Sequence, residues 1–351
     1  MSDPRLTCLI PTHNRPHFLR RLLHFYQRHS MPCSFFVADS SKPDAAAENV
    51  AAIEAARGSL DITYRHFDTD LITKYFRALR TLDTPYVVVC ADDDFLLPSA
   101  VESCVQFLEG HPDYALAQGL SANMNCRATE ASVLKVWSGH CIHNESPFAR
   151  CQQMARYGFS TFYGVYRTNV LRDMFQYCAE HLDAQESYHF PEVLLLQLSA
   201  LKGRIQFFPI MYALREWHGT NLNLHPEASS REKGEELYLR FRDSLAAQLM
   251  LTGRSRQQAN RFVDLWYGQM REWGLRQKDR DKWAVRRLWR SVWRIWRQVL
   301  NVFSAEDMVP HRALRASDLQ GQEAVWQSAV QLMTQHPKGF SLTDEGWRNA
   351  A

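Results

Sequence analysis

The sequence predicts an α/β protein, a mostly parallel sheet with crossover helices, followed by an α-helical C-terminal region. Three observations predict it. Between residues 6 and about 110, short β-prone runs alternate with stretches of helical spacing. One apolar run, Tyr86 to Ala91, ends directly in three acids, as a buried strand ending at a ligand site would. From about Ser229 onward, long helical patterns rich in Arg, Gln and Trp replace the β-prone runs. A chain of 351 residues can bury a sizeable core without disulfide staples.

The elements follow in order. Leu6 to Ile10 is a short strand closed by the polar loop Pro11-Thr-His-Asn-Arg-Pro16. Phe18, Leu19, Leu22, Leu23, Phe25 and Tyr26 then recur at helical spacing. Phe35 to Ala38 is a second strand, ended by the turn composition Asp39-Ser-Ser-Lys-Pro-Asp44, and an Ala-rich helix runs to about Arg57. Ile62 to Phe67 alternates like a strand, Tyr75 to Leu82 reads as helix, and Tyr86 to Ala91 as a buried strand. Between about 115 and 225, short strands (Tyr114 to Ala117, Gly164 to Tyr166, Ile205 to Phe208) mix with helices, Glu192 to Leu201 being the clearest. A domain boundary is expected near residue 228, dividing 1–228 from 229–351.

Composition narrows the class. Hydrophobic residues at 46% and charged residues at 23%, with a net charge of +3, describe a globular chain and exclude fibres, disulfide mini-proteins and disordered tails. The eight cysteines form no CxxC pair and read as reduced, buried small hydrophobes. The N-terminus carries no leader pattern, and no window reaches the eighteen apolar residues of a membrane span, so a cytoplasmic location is expected.

The mild average charge conceals a local one. Ten Lys and Arg between 271 and 303 face only Glu272, Asp279 and Asp281, and five of the ten tryptophans lie there too. Within about 281–303, Val285, Leu288, Trp289, Val292, Trp296, Val299, Leu300 and Phe303 share one helical face, and Arg286, Arg287, Arg290, Arg294 and Arg297 the other. Such a basic amphipathic helix either lies on an anionic membrane surface or packs on protein with its arginines solvated. No nucleic-acid motif accompanies it, and no nucleic-acid partner is expected.

The sharpest chemical feature is Asp92-Asp93-Asp94, between the strand Tyr86 to Ala91 and Phe95-Leu-Leu-Pro98. Adjacent carboxylates at a strand mouth repel one another unless a cation screens them. Hard carboxylate oxygens completed by water and diphosphate oxygens describe a Mg²⁺ or Mn²⁺ site. The alternative is an acidic turn favouring the next helix N-terminus.

With these residues in place, the chain resembles the family 2-like inverting glycosyltransferases that assemble bacterial surface polysaccharides. The ordered series runs Pro11-Thr-His-Asn-Arg15, Asp39-Ser-Ser41, Asp92-Asp93-Asp94 with Pro98, and Phe190-Pro-Glu192 leading to Lys202-Gly203 and Pro209, over roughly residues 5 to 222. The resemblance implies a GT-A fold, Rossmann-like with helices flanking a mostly parallel sheet. It also implies transfer from a nucleoside-diphosphate sugar to a glycan or lipid-linked acceptor, with Mn²⁺ or Mg²⁺. Several departures mark a divergent branch: Ala38 and Ser40 replace an acid and a glycine, Asp70 to Lys74 replace an Asn-x-Gly segment, and Pro191-Glu192 replaces Glu-Asp.

The resemblance implies the following roles. Pro11, Thr12, Arg15, Asp39, Lys74, Asp92, Asp93 and Arg215 would contact the donor, Asp39 at its base or ribose unless it is only an Asx-turn residue. Asp92, Asp94 and His218 would hold the metal, with Asp93 and Asp94 as the other register. Glu192 would be the base, unless it merely favours a helix start, with Asp183 and Glu186 as fallbacks. A sugar-nucleotide nucleotidyltransferase would need a glycine-rich loop after the first strand, and Pro11 to Pro16 holds no glycine. A non-catalytic membrane-associated scaffold with a decayed transferase domain is the other rival, disfavoured by intact Asp92, Asp94 and Glu192.

Overall fold

The parallel strands that carry the site are buried on both faces, as crossover helices require. The computed structural model describes residues 5–127, 130–182, 188–217, 231–278 and 311–334. Strand β1 (Leu6–Thr12) is buried at every position. It pairs in parallel with β2 (Ser34–Asp39) on one side and β4 (Tyr86–Val89) on the other, and β2 pairs in parallel with β3 (Ile62–His66). Helices α1 (Pro16–Arg28), α2 (Pro43–Ala56) and α3 (Leu71–Leu79) provide the crossovers, the first two starting at prolines that suit a first helical turn. Each expected element of this half is present with its ends within a few residues.

Beyond β4 the sheet becomes mixed. Short β5 (Phe95–Leu96) leads into α4 (Pro98–Gly110), followed by β6 (Tyr114–Arg127), β7 (Glu130–Trp137), α5 (Pro147–Tyr157) and β8 (Val165–Arg167). The second half continues with α6 (Thr168–His181), α7 (His189–Lys202) and β9 (Arg204–Trp217). With β10 (His311–Arg312) at one edge, strand order is β10-β7-β6-β8-β4-β1-β2-β3, and β9 pairs with both β5 and β6. The pairs β4–β8, β6–β8, β6–β7 and β5–β9 are antiparallel, whereas β6–β9 is parallel. β6 and β9 run fourteen residues each, far past the short strands expected from composition. Gly119 makes their crossing possible, since a Cβ there would sit 2.6 Å from the Ile210 carbonyl oxygen, where the β6–β9 register shifts.

Three arginines close helix C-termini from across the fold, satisfying carbonyls a helix cannot satisfy itself. Arg150 donates to the carbonyls of Ala200 and Leu201 at the end of α7 and to those of Asn144 and Glu145 ahead of α5. Arg167 does so for Leu108 and His111 at the end of α4, and Arg172 for Leu79 and Leu82 at the end of α3.

The C-terminal helices share the cores of the first region. α8 (Arg231–Met250) and α9 (Arg256–Lys278) pack Phe241, Trp266 and Tyr267 against α7, in one cluster with Phe190 and Leu194. β10 (His311–Arg312) pairs antiparallel with β7, and α10 (Glu323–Met333) inserts Trp326, Ala329, Leu332 and Met333 into the core beside α1 and α4. Residues on both sides of the expected boundary near residue 228 therefore share the same apolar cores. The basic stretch 281–303 lies outside the described residues. Among the described residues, the eight cysteines are free thiols, seven of them buried, and no helix is long and apolar enough to cross a membrane.

Candidate active site at the ends of the parallel strands

Parallel strands release their chains at one edge, so the loops after β1, β2 and β4 converge there. Their side chains are tied to one another. Thr12 Oγ1 donates to Asp92 Oδ2 at 2.7 Å. Arg15 bridges the acidic run, with one nitrogen 2.5 Å from Asp92 Oδ1 and the other 2.8 Å from Asp93 Oδ2. The loop around Asn14 turns through φ 55°, a left-handed conformation that Asn tolerates. Its backbone N–H donates to Ser41 Oγ at 2.7 Å, joining the first loop to the second.

Lys74 emerges from α3, whose start is capped by Asp70 accepting from the Thr73 N–H at 2.9 Å. Its ammonium is buried and donates to the Thr12 carbonyl at 2.9 Å and to Ser40 Oγ at 2.8 Å. Burial pulls its pKa down to about 8, against the pull of Asp92 and Asp39 in the other direction. Asp39 is wholly buried and accepts from the Ser41 N–H, Asn49 and Tyr64 at 2.7, 2.9 and 3.0 Å. Burial raises its pKa, but those hydrogen bonds outweigh it and hold the carboxyl below its ordinary value. The bond to Ser41, two residues on, is an Asx-turn, so Asp39 organises its own loop.

The three acids divide between two sets of partners. Asp92 and Asp93 both turn to Arg15, whereas Asp94 accepts from the Tyr163 hydroxyl and, at 2.7 Å, from the Glu216 N–H. Burial, with the Asp93 charge, pushes Asp94 up to about 7, opposed by Arg215, whose Nε lies 3.8 Å away. Burial pushes Asp92 up to about 6, opposed by Arg15. Burial lowers the pKa of Arg15, but Asp92 and Asp93 outweigh it and keep the guanidinium charged.

Arg215 reaches the other side of the site. Its guanidinium lies 5.2 Å from the centre of the Tyr163 ring and within electrostatic range of Glu192. Glu192 sits in the first turn of α7, half-buried beside Thr161, Phe162 and Leu195 in a mainly apolar recess. Burial raises its pKa and Arg215 opposes the rise. The structure thus brings together Thr12, Arg15, Lys74, Asp92, Asp93, Asp94, Arg215 and Glu192. Pro11 is buried at the end of β1, and His218, Asp183 and Glu186 lie outside the described residues.

Among the described residues no group of three or more His, Cys, Asp or Glu side chains is placed to hold a metal ion. A hard divalent cation needs only one or two carboxylates when phosphate oxygens and water complete its shell. Asp92 and Asp94 supply buried carboxylate oxygens, the hard donor type that Mg²⁺ or Mn²⁺ takes, and a bound cation would favour their charged forms against the burial that raises their pKa.

Composition reasoning missed Arg21, Tyr163 and Glu216. Arg21 had a signal: it stands on the apolar face of α1, among Phe18, Leu22 and Phe25. Glu216 alternates with Arg215 along β9, and Tyr163 carried no signal that its neighbours lacked.

Residues 7–174 match the family model described as glycosyl transferase family 2. Over that segment, just under half of the chain, the protein is similar to the family 2 glycosyltransferases. In three solved structures of S. aureus TarS 1-349 the same GT-A fold recurs. The form with UDP-GlcNAc is 16% identical over 75% of this chain and 71% of that one, with a TM-score of 0.54. The unliganded form is 15% identical over 75% and 70%, at 0.52, and the form with UDP 14% identical over the same shares, at 0.51. At such identities the likeness concerns the fold. No protein of curated function matches the sequence. Asp39 and the acidic run belong to the segment matched as family 2, whereas Glu192 and Arg215 come from chain beyond it.

Proposed function

We propose that this protein is a metal-dependent, inverting glycosyltransferase. It moves a sugar from a nucleoside-diphosphate donor to a hydroxyl of a glycan or lipid-linked acceptor in surface-polysaccharide assembly. The observation that carries the reading is a segment similar to family 2 whose strand-end loops bring Arg15 and the acidic run together beside Lys74 of α3, with Arg215 linking Asp94 to Glu192. UDP and UDP-GlcNAc in the similar TarS structures support a uridine nucleotide as donor.

In this mechanism Glu192 takes the proton of the acceptor hydroxyl as its oxygen bonds to C1 of the sugar. The bond from C1 to the phosphate oxygen breaks, its electron pair stays on that oxygen, and the nucleoside diphosphate leaves. A single displacement inverts C1. Burial raises the proton affinity of Glu192, which suits a base. Arg215 and Lys74 supply positive charge towards the diphosphate as negative charge develops on it. Asp92 and Asp94 would hold the divalent cation, which when bound neutralises the same diphosphate. Asp39 keeps the second loop in shape against the nucleotide.

Thermal-shift titration with UDP, with and without Mn²⁺, tests the donor site, since a ligand that binds the folded state raises its melting temperature. Glu192→Gln and Asp94→Asn should each fold and lose transfer, and unchanged activity in both would sink the assignment. We read the stretch 281–303 as the contact with an anionic membrane surface on the cytoplasmic side. Sedimentation with anionic vesicles, lost in the Arg290→Glu, Arg294→Glu double variant, is the expected outcome.

A further inference from the structure

We infer that a buried ion pair outside the donor site, Arg21–Glu216, positions the acidic run and so sets its affinity for a nucleoside diphosphate. The inference rests on the reading of the acidic run as the donor site. Arg21 projects from the core face of α1 and is 8% exposed. One of its terminal nitrogens donates to the Asp93 carbonyl oxygen at 2.9 Å and to Glu216 Oε2 at 2.5 Å. Glu216 in turn holds Asp94 Oδ1 by its backbone N–H at 2.7 Å. The backbone at Asp93 and the carboxylate of Asp94 are thus both anchored through this pair to the end of β9, while Arg15 holds the side chains of Asp92 and Asp93 from the first loop.

Stability alone does not account for such a pair. Burying two charges costs several kcal/mol of desolvation, and apolar residues of similar volume often fold as well or better. The surroundings are apolar: the Arg21 guanidinium lies 4.9 Å from the centre of the Phe18 ring and 5.2 Å from that of Phe95. Its Nε and its other terminal nitrogen are buried without a hydrogen-bond partner among the described residues. A pair optimised for stability would use those donors. Here a single terminal nitrogen makes both contacts, to the backbone of the acidic run and to the strand that binds Asp94. Arg21 and Glu216 are positioning residues, since both are buried and act through their contacts with Asp93 and Asp94.

The test is calorimetric binding of UDP, with and without Mn²⁺, to the full chain. The Arg21→Met, Glu216→Leu double variant should melt at or above the wild-type temperature, bind UDP at least tenfold more weakly, and lose most of the gain in affinity that Mn²⁺ gives the wild type. Glu216→Gln should weaken binding in the same direction, and Arg21→Lys should restore part of it. Wild-type affinity and Mn²⁺ gain in a folded double variant overturn the inference and leave the donor site standing. If that variant does not fold, wild-type binding by Glu216→Gln overturns it equally. A wild type that binds no UDP overturns both the inference and the glycosyltransferase reading.

Discussion

Asp94→Asn should stabilise the protein in metal-free buffer at pH 8. Asp94 is buried, and in the folded state its carboxyl rises from 3.8 to about 7, first through burial and then through the Asp93 charge. Because the folded value lies above the unfolded one, the folded state holds the proton more tightly. The stabilisation this confers is full below about pH 4 and lost as the pH rises through about 7. At about 1.4 kcal/mol per tenfold in proton affinity, the ionised carboxylate costs at most about 4 kcal/mol at pH 8. Asparagine keeps an oxygen for the Glu216 N–H, while its amide meets the Tyr163 hydroxyl less well, so the gain should be about 2–4 kcal/mol. With an unfolding entropy of about 2.1 cal/mol/K per residue, that is roughly 3–5 °C. Urea denaturation of both proteins at pH 8 and pH 4.5 measures it. The gain should shrink by most of its size at the lower pH. A variant less stable than wild type at pH 8, or a gain that does not change with pH, would refute the argument that desolvation governs this carboxylate.

Other expectations can be checked with the same material. Glu192→Gln should keep the UDP-induced thermal shift and lose turnover by about 10²–10⁴, the range for removing a general base; a parallel loss of UDP binding would place Glu192 in the donor site instead. Lys74 gives up its proton near pH 8, so UDP affinity should fall as the pH rises through 8, and Lys74→Met should bind weakly throughout with no such fall. Arg150→Met leaves four carbonyls without their shared donor and should cost about 2–4 kcal/mol in urea denaturation while UDP binding is unchanged.

The first half of the fold was legible because its elements are local. A buried parallel strand is a short apolar run, and a crossover helix carries its own 3.6-residue period, so β1 to β4 and α1 to α3 stand where the pattern puts them. The long strands β6 and β9 were not legible. Their alternation is diluted by polar residues such as Asn123, Asn125 and Arg215, and what holds them extended is pairing with partners up to about ninety residues away. α10 belongs to the same class, because only the folded structure offers Met211 of β9 and Ser99 of α4 as hydrogen-bond partners for Gln322 at its start.

The sequence by itself determined the kind of fold, the edge of the sheet where chemistry would gather, and the residue types available there: three adjacent acids, Arg15, Lys74 and Glu192. Those follow from strand and helix periods and from charge placed at strand ends, which a linear chain displays directly. Only the tertiary structure decided how that charge is distributed. It turned Arg15 onto Asp92 and Asp93, closed Asp39 into its own turn, set Arg215 between Asp94 and Glu192, and ran a buried Arg21–Glu216 pair behind the acidic run. Those contacts join residues far apart in the chain, and their strength depends on burial and mutual distance, which no spacing along a sequence encodes.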